Sequence, residues 1–114
     1  MNIAFFGDST IAGVDGAVPA DGTLHYTTPM TAYVARSGYT TLNFGVAGQT
    51  LASLLNDLPT NLAGLDSDSI VVIEGGINDC DLSGVTFAGY LDAALDLIEG
   101  ESFTAILQTP IRCT

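Results

Sequence analysis

The sequence predicts an α/β domain: one open parallel sheet with helices packed on both of its faces. Three observations carry that expectation. Four short runs rich in Ile, Val, Phe and Thr, at residues 3–6, 41–44, 70–73 and 104–107, read as strands. Their apolar residues are consecutive rather than alternating, which suits strands buried on both faces. Helical patterns fall between the runs, and strands alternating with helices call for right-handed crossovers between parallel neighbours. The expected strand order is 2-1-3-4.

The first strand starts almost at the amino terminus. Residues 11–28, rich in Gly, Pro and Asp, follow it and read as a surface loop over one sheet edge. Pro29 suits the first turn of a helix after Thr28, with Met30, Tyr33 and Val34 on its inner face and Gly38 as its stop. After the second strand, a helix is expected over residues 50–58, halted by Pro59. After the third, the clearest helix takes Thr86 as its cap and ends at Gly100. Phe87, Leu91, Leu95 and Ile98 lie on one face of it, leaving Asp92, Asp96 and Glu99 to water. No repeat or linker interrupts the pattern, so residues 1–114 read as one domain.

Composition narrows the partners. The 114 residues are 47% hydrophobic, enough to fill a core and to exclude bulk disorder. Two Lys+Arg against 13 Asp+Glu give a net charge of −11. Arg36 and Arg112 cannot assemble a basic patch, so neither nucleic acid nor an anionic membrane is expected as a partner. The acidity reads as a solvated surface that resists aggregation. No basic leader precedes a long apolar stretch and no run reaches the length of a bilayer span. The expectation is a chain with no signal peptide or membrane span, with the cytoplasm as default compartment. Cys80 and Cys113 follow strands expected to be neighbours, which leaves two readings open: a disulfide, or two small apolar residues. One histidine and two separated cysteines are thin material for zinc, and no metal or cofactor is expected.

Chemistry-bearing residues collect just after the strands. Gly7-Asp8-Ser9-Thr10 follows the first, Gly45-Val46-Ala47-Gly48-Gln49-Thr50 the second, and Gly75-Gly76-Ile77-Asn78-Asp79 the third. Ligand sites in open α/β sheets form outside the carboxyl ends of the strands, where strand order reverses, so these turns are expected to converge. A serine that attacks an acyl carbon must lose its proton to a nearby base. The carbonyl oxygen then needs fixed donors about 3 Å away, and Ser9 N–H, Gly48 N–H and the Asn78 side-chain amide are three such donors. Glycine at 48 lets the backbone approach closely and turn where a side chain would block it.

These blocks resemble those of the SGNH, or GDSL-like, serine esterases and lipases. Gly7-Asp8-Ser9 matches the first block, Asn43-Phe44-Gly45-Val46-Ala47-Gly48 resembles the second, and Gly76-Ile77-Asn78-Asp79 the third. The resemblance implies a flavodoxin-like three-layer sandwich with Ser9 as nucleophile and Gly48 and Asn78 as oxyanion donors. It implies a small ester or an acetylated carbohydrate as substrate. The family's last block, Asp-x-x-His, supplies the base and its orienting carboxylate. Here the sequence ends at Ile111-Arg112-Cys113-Thr114. Four of the family's five strands are therefore expected, as the amino-terminal and central part of such a domain. The base is expected to be missing, and the isolated chain to be weak or inactive.

Other readings stand beside this one. The same scaffold suits a non-catalytic remnant or an assembly domain, since an unpaired edge beside strand four invites association. Ser9-Thr10 with Gly13 loosely resembles a phosphate loop, which suits a flavin or phosphate binder. Residue by residue, Ser9 reads also as a helix cap, and Asp8 and Asp79 as hydrogen-bonding supports of the turns. Gly45, Gly75 and Gly76 read as permissive turn positions, and Asn78 as the stabiliser of its own turn. His25 reads as a surface histidine before it reads as a substitute base.

Overall fold

The computed structural model describes residues 2–13 and 30–108, apart from the side chains of Ser9, Thr10, Met30, Tyr33 and Ile77. In chain order the elements are β1 (Asn2–Phe6), α1 (Ser9–Ala12), α2 (Met30–Ala35), β2 (Thr40–Asn43) and α3 (Leu51–Leu62). They continue with β3 (Ile70–Glu74), a 3-10 turn (Ile77–Asp79), α4 (Gly84–Gly100) and β4 (Thr104–Gln108). All four strands are parallel, in the expected order β2-β1-β3-β4. Ile3 of β1 sits opposite Thr41 on one side and Ile70 on the other. The chain thus leaves β1 for β2 and crosses back to β3, which makes the carboxyl end of β1 the point where strand order reverses.

Side-chain alternation along the strands sorts the core into two layers. Ala4, Phe6, Val71 and Ile73 face Leu54, Leu58 and Leu62 of α3 and Ala94 and Ile98 of α4. Phe5 and Val72 face Ile11 of α1, with Val34 of α2 packed alongside. The sheet is therefore covered on both faces, three layers in all. Phe6 and Phe44 stack with ring centroids 4.7 Å apart, tying the end of β1 to the end of β2. Among the described residues no helix is long and apolar enough to cross a membrane.

The burial expected for all four strands holds for the inner two. β2 and β4 lie at the sheet edges, and in β4 Ile106 and Leu107 remain 48% and 45% exposed. No strand neighbours β4 on its outer side among the described residues, so its apolar run is not covered as β1 and β3 are.

Three helix boundaries differ from expectation. α3 does not stop at Pro59 but runs through it to Leu62, and helical bonding is intact there, with Ala63 N donating to Pro59 O at 3.2 Å. Proline removes one backbone donor, yet this residue faces solvent. Leu62 completes the buried stripe of Leu51, Leu54 and Leu58, which holds the last turn in place. α4 is capped by Ser83 rather than Thr86, Ser83 Oγ accepting from Thr86 N at 3.2 Å. α1 absorbs Ile11 and Ala12, the first residues of the expected loop. The expected solvent face of α4, with Asp92, Asp96 and Glu99, is exposed. Thr28, Pro29 and the remainder of that loop from residue 14 lie outside the described residues. Gly38 closes the turn after α2 at φ +91°, its N–H donating to Ala35 O at 3.1 Å.

Candidate functional site

Each of the three glycine-rich segments leaves the carboxyl end of a strand, and hydrogen bonds lace them together. β1 delivers Gly7, Asp8 and Ser9. Ala12 N donates to Asp8 O at 3.0 Å, so Asp8 rather than Ser9 stands before the first turn of α1, and Ser9 is its first residue. Gly7 O accepts from Val46 N at 3.0 Å, joining the first segment to the second. Asn78 Nδ2 donates to Gln49 O at 2.9 Å, joining the third segment to the second beside Gly48. The Asp79 carboxylate accepts from Leu51 N at 3.0 and 3.3 Å, pinning the 3-10 turn to the start of α3. Asp79 is thus the hydrogen-bonding support that its position suggested.

The glycines divide by physical cause. A Cβ on Gly45 would overlap Ala12 N and lie 2.8 Å from Ala12 Cα, so the second segment is packed on the backbone of α1. A Cβ on Gly7 would lie 2.7 Å from Glu74 O, and one on Gly75 2.8 Å from Leu51 Cδ2. Gly45 and Gly7 are therefore demanded by backbone crowding, whereas at Gly75 the end of the Leu51 side chain would have to shift. Gly48 is the reverse case: φ is +77°, yet no heavy atom stands within 4 Å of a built Cβ. The space in front of Gly48 is open, and its glycine answers to backbone conformation alone.

Two residues matter more than their sequence positions suggest. Asn43, within the second motif, donates from Nδ2 to Ile11 O at 2.8 Å and to Thr31 Oγ1 at 3.4 Å. Its Oδ1 accepts from Gly45 N at 2.8 Å. One side chain thereby clamps α1, α2 and the second segment around the turn that carries Ser9. Glu74, the last residue of β3, is buried against Asp8. Burial first, and the adjacent Asp8 charge second, push its carboxyl up to about 7. A charged residue ending an otherwise apolar strand was the one signal that pointed to it.

Asn78 is exposed and gives one amide hydrogen to Gln49 O, so its second hydrogen suits a further acceptor. Gly48 N lies one residue from that carbonyl. Ser9 starts α1 at the point of strand-order reversal, while its hydroxyl, His25 and Cys113 lie outside the described atoms. Cys80, next to Asp79, is disulfide-bonded.

The profile of the GDSL-like lipase/acylhydrolase family matches residues 5–111. The chain belongs to this family. Its fold is similar to that of a G-D-S-L family protein from Desulfitobacterium hafniense DCB-2, with TM-score 0.75 and 20% identity over 99% of this chain and 61% of that one. TesA gives TM-score 0.73 and 24% identity, over 94% of this chain and 59% of TesA. AlinE4, a SGNH-hydrolase family esterase, gives TM-score 0.69 and 24% identity, over 93% of this chain and 57% of AlinE4. The chain thus spans about three fifths of the length of these proteins. No functionally curated protein matches it.

Proposed function

We propose that this GDSL-like chain builds the nucleophile and oxyanion side of a serine ester-hydrolase site. In this reading residues 1–114 are one SGNH hydrolase-like domain and the substrate is a small ester, acetylated carbohydrates included. Ser9 attacks the acyl carbon, and Gly48 N–H with the Asn78 amide holds the oxyanion. The observation that carries the reading is the lacing of three turns at one end of the sheet, through Gly7 O to Val46 N and Gln49 O to Asn78 Nδ2.

The chemistry follows from the residue types. Ser9 oxygen bonds to the acyl carbon, its proton passes to a base, and the carbonyl electron pair moves onto oxygen. Collapse of that oxyanion breaks the ester C–O bond, and the departing alcohol takes the proton back. Water then repeats the sequence on the acyl-enzyme and releases the acid. His25 is the one histidine in the sequence. A serine without an oriented base is a poor nucleophile at neutral pH, so slow turnover is the expectation for these residues alone.

Hydrolysis of an activated short-acyl ester tests the reading. Ser9→Ala should abolish turnover, and Asn78→Ala should lower it by roughly 10²–10³-fold, the usual cost of one oxyanion donor. Undiminished turnover in Ser9→Ala would remove the nucleophile assignment. His25→Ala decides the base: the expected small effect excludes it, whereas a collapse comparable to Ser9→Ala would complete the site within this sequence.

A second reading, an assembly role on the same scaffold, is favoured by one observation. The outer edge of β4 presents exposed Ile106 and Leu107. A second copy of this chain, paired edge to edge through β4, is the partner that such a strand suits.

A further inference from the structure

Beneath the turn that carries Ser9 lie two buried carboxyl groups that ester hydrolysis does not use. Asp8 is 0% exposed and Glu74 2%. Glu74 follows Val72 by two residues on β3, so it points to the sheet face of Phe5 and Ile11, under α1. Its carboxyl lies near enough to Asp8 for that charge to push it up, and its Oε2 is buried with no hydrogen-bond partner among the described residues. Glu74 Oε2 lies 3.0 Å from where a Cβ on Gly7 would stand. Gly7 is therefore glycine in part because a carboxyl presses on it, and any side chain there would push Glu74 off the turn.

Two ionised carboxylates are both acceptors only, and a hydrogen bond between their side chains requires a proton. Among the described residues, β1, α1, α2, β3 and β4 carry no basic residue. α1, Ser-Thr-Ile-Ala, has no ionisable acid or base, and β4 sets uncharged Gln108 opposite Glu74. Asp79 is committed to Leu51 N–H. α2 contains no acidic or basic residue.

We propose that Asp8 and Glu74 hold one proton between them and thereby fix the Gly7-Asp8-Ser9 turn, making Glu74 a positioning residue for Ser9. While the proton is held, the pair is a hydrogen-bonded brace from β3 to the residue before Ser9. When it leaves, two negative charges face each other in a dry site, and repulsion drives the turn off Glu74. The position of the Glu74 carboxyl, at about 7, places that release in the neutral range. The consequence for catalysis rests on the reading of Ser9 as nucleophile; the proton pair itself does not.

The test is a carboxyl-carbon NMR titration of the full chain, with the backbone amides of residues 7–12 followed in the same samples. One carboxyl should titrate near neutral pH, and the Asp8 and Ser9 amide signals should move with that same midpoint. Glu74→Gln, a neutral isostere that keeps a donor toward Asp8, should stay folded and lose both effects. Glu74→Ala should displace the turn amides at every pH. Both carboxyls ionised in the ordinary range near pH 4 would overturn the proposal, and so would turn amides that ignore the titration. Labelling of Ser9 by a fluorophosphonate adds the functional arm. The ratio of wild-type to Glu74→Gln labelling should fall several-fold as pH rises through neutral, and a flat ratio would refute the positioning role. Absence of labelling in both proteins would count against Ser9 as nucleophile, while the NMR titration would still decide the proton pair.

Discussion

At Gly45 and Gly48, three residues apart, one substitution tests two different physical demands. Gly45→Ala forces a methyl into the backbone of α1 and should destabilise the chain by about 1–3 kcal/mol, the usual cost of overpacking. Gly48→Ala meets open space and should cost only the strain of positive φ, about 1–2 kcal/mol. Urea unfolding of each variant measures both, and amide shifts in α1 should change in Gly45→Ala alone. Glu74 adds a pH dependence with a definite sign. Its carboxyl rises from 4.5 to about 7 on folding, so between those values the folded chain holds a proton that the unfolded chain has lost. Stability from this group is fully present below about pH 4.5. It is lost progressively as pH rises to about 7 and is not regained above. The loss is on the order of 3 kcal/mol, since a tenfold change in proton affinity is worth roughly 1.4 kcal/mol. Glu74→Gln should flatten that slope, giving a higher urea midpoint than the wild type above neutral pH; an unchanged slope would contradict the assignment. Sequence alone singled out Ser9, Gly48 and Asn78 as candidates because reactive residue types stand out in glycine-rich turns. The roles of Asn43 and Glu74 were not legible because they depend on partners 32 and 66 residues away, at Ile11 and Asp8.

At the scale of elements, the strands were legible because a two-faced burial demand leaves consecutive apolar residues. Helix ends were less so, since they turn on a contest between local propensity and distant packing. In α3 packing prevails: the stripe Leu51, Leu54, Leu58 and Leu62 is buried throughout, and Pro59 sits on the opposite, exposed side. Pro59→Ala should therefore restore a backbone bond without disturbing the core, raising stability by about 1–3 kcal/mol on the interior helix scale. Leu62→Ala should do the opposite, costing about 2–5 kcal/mol and fraying the turn beyond the proline. Helical signal from circular dichroism, followed through thermal unfolding, separates the two outcomes. In α4 both Ser83 and Thr86 carry hydroxyls, and which one caps depends on where the chain enters the helix. Ser83→Ala should cost about 1 kcal/mol as the loss of a cap, and Thr86→Ala less.

For the whole molecule, strand order was readable because three polar turns in sequence constrain how four parallel strands connect. What the sequence did not reveal is how unequal the sheet's two edges are. β2 ends the sheet with Thr40, Thr41, Leu42 and Asn43, largely polar, whereas β4 carries Ile106 and Leu107 into solvent. Alternation places these two on opposite faces of the sheet, so neither helical layer covers the edge. Such a strand favours pairing with another copy, and the net charge of −11 opposes it. The two effects respond differently to salt. Screening shortens the reach of the repulsion to about 3 Å at 1 M, while burial of apolar side chains and backbone pairing persist. Self-association should accordingly strengthen with ionic strength, the reverse of a contact held by opposite charges. Ile106→Lys, which blunts the edge with a charge, should leave a folded monomer at every salt concentration. Sedimentation velocity over a range of protein and salt concentrations reads both effects. A wild-type chain that stays monomeric in high salt would discard the assembly reading and leave the ester-hydrolase reading to stand by itself. Association that survives Ile106→Lys would instead move the interface away from β4.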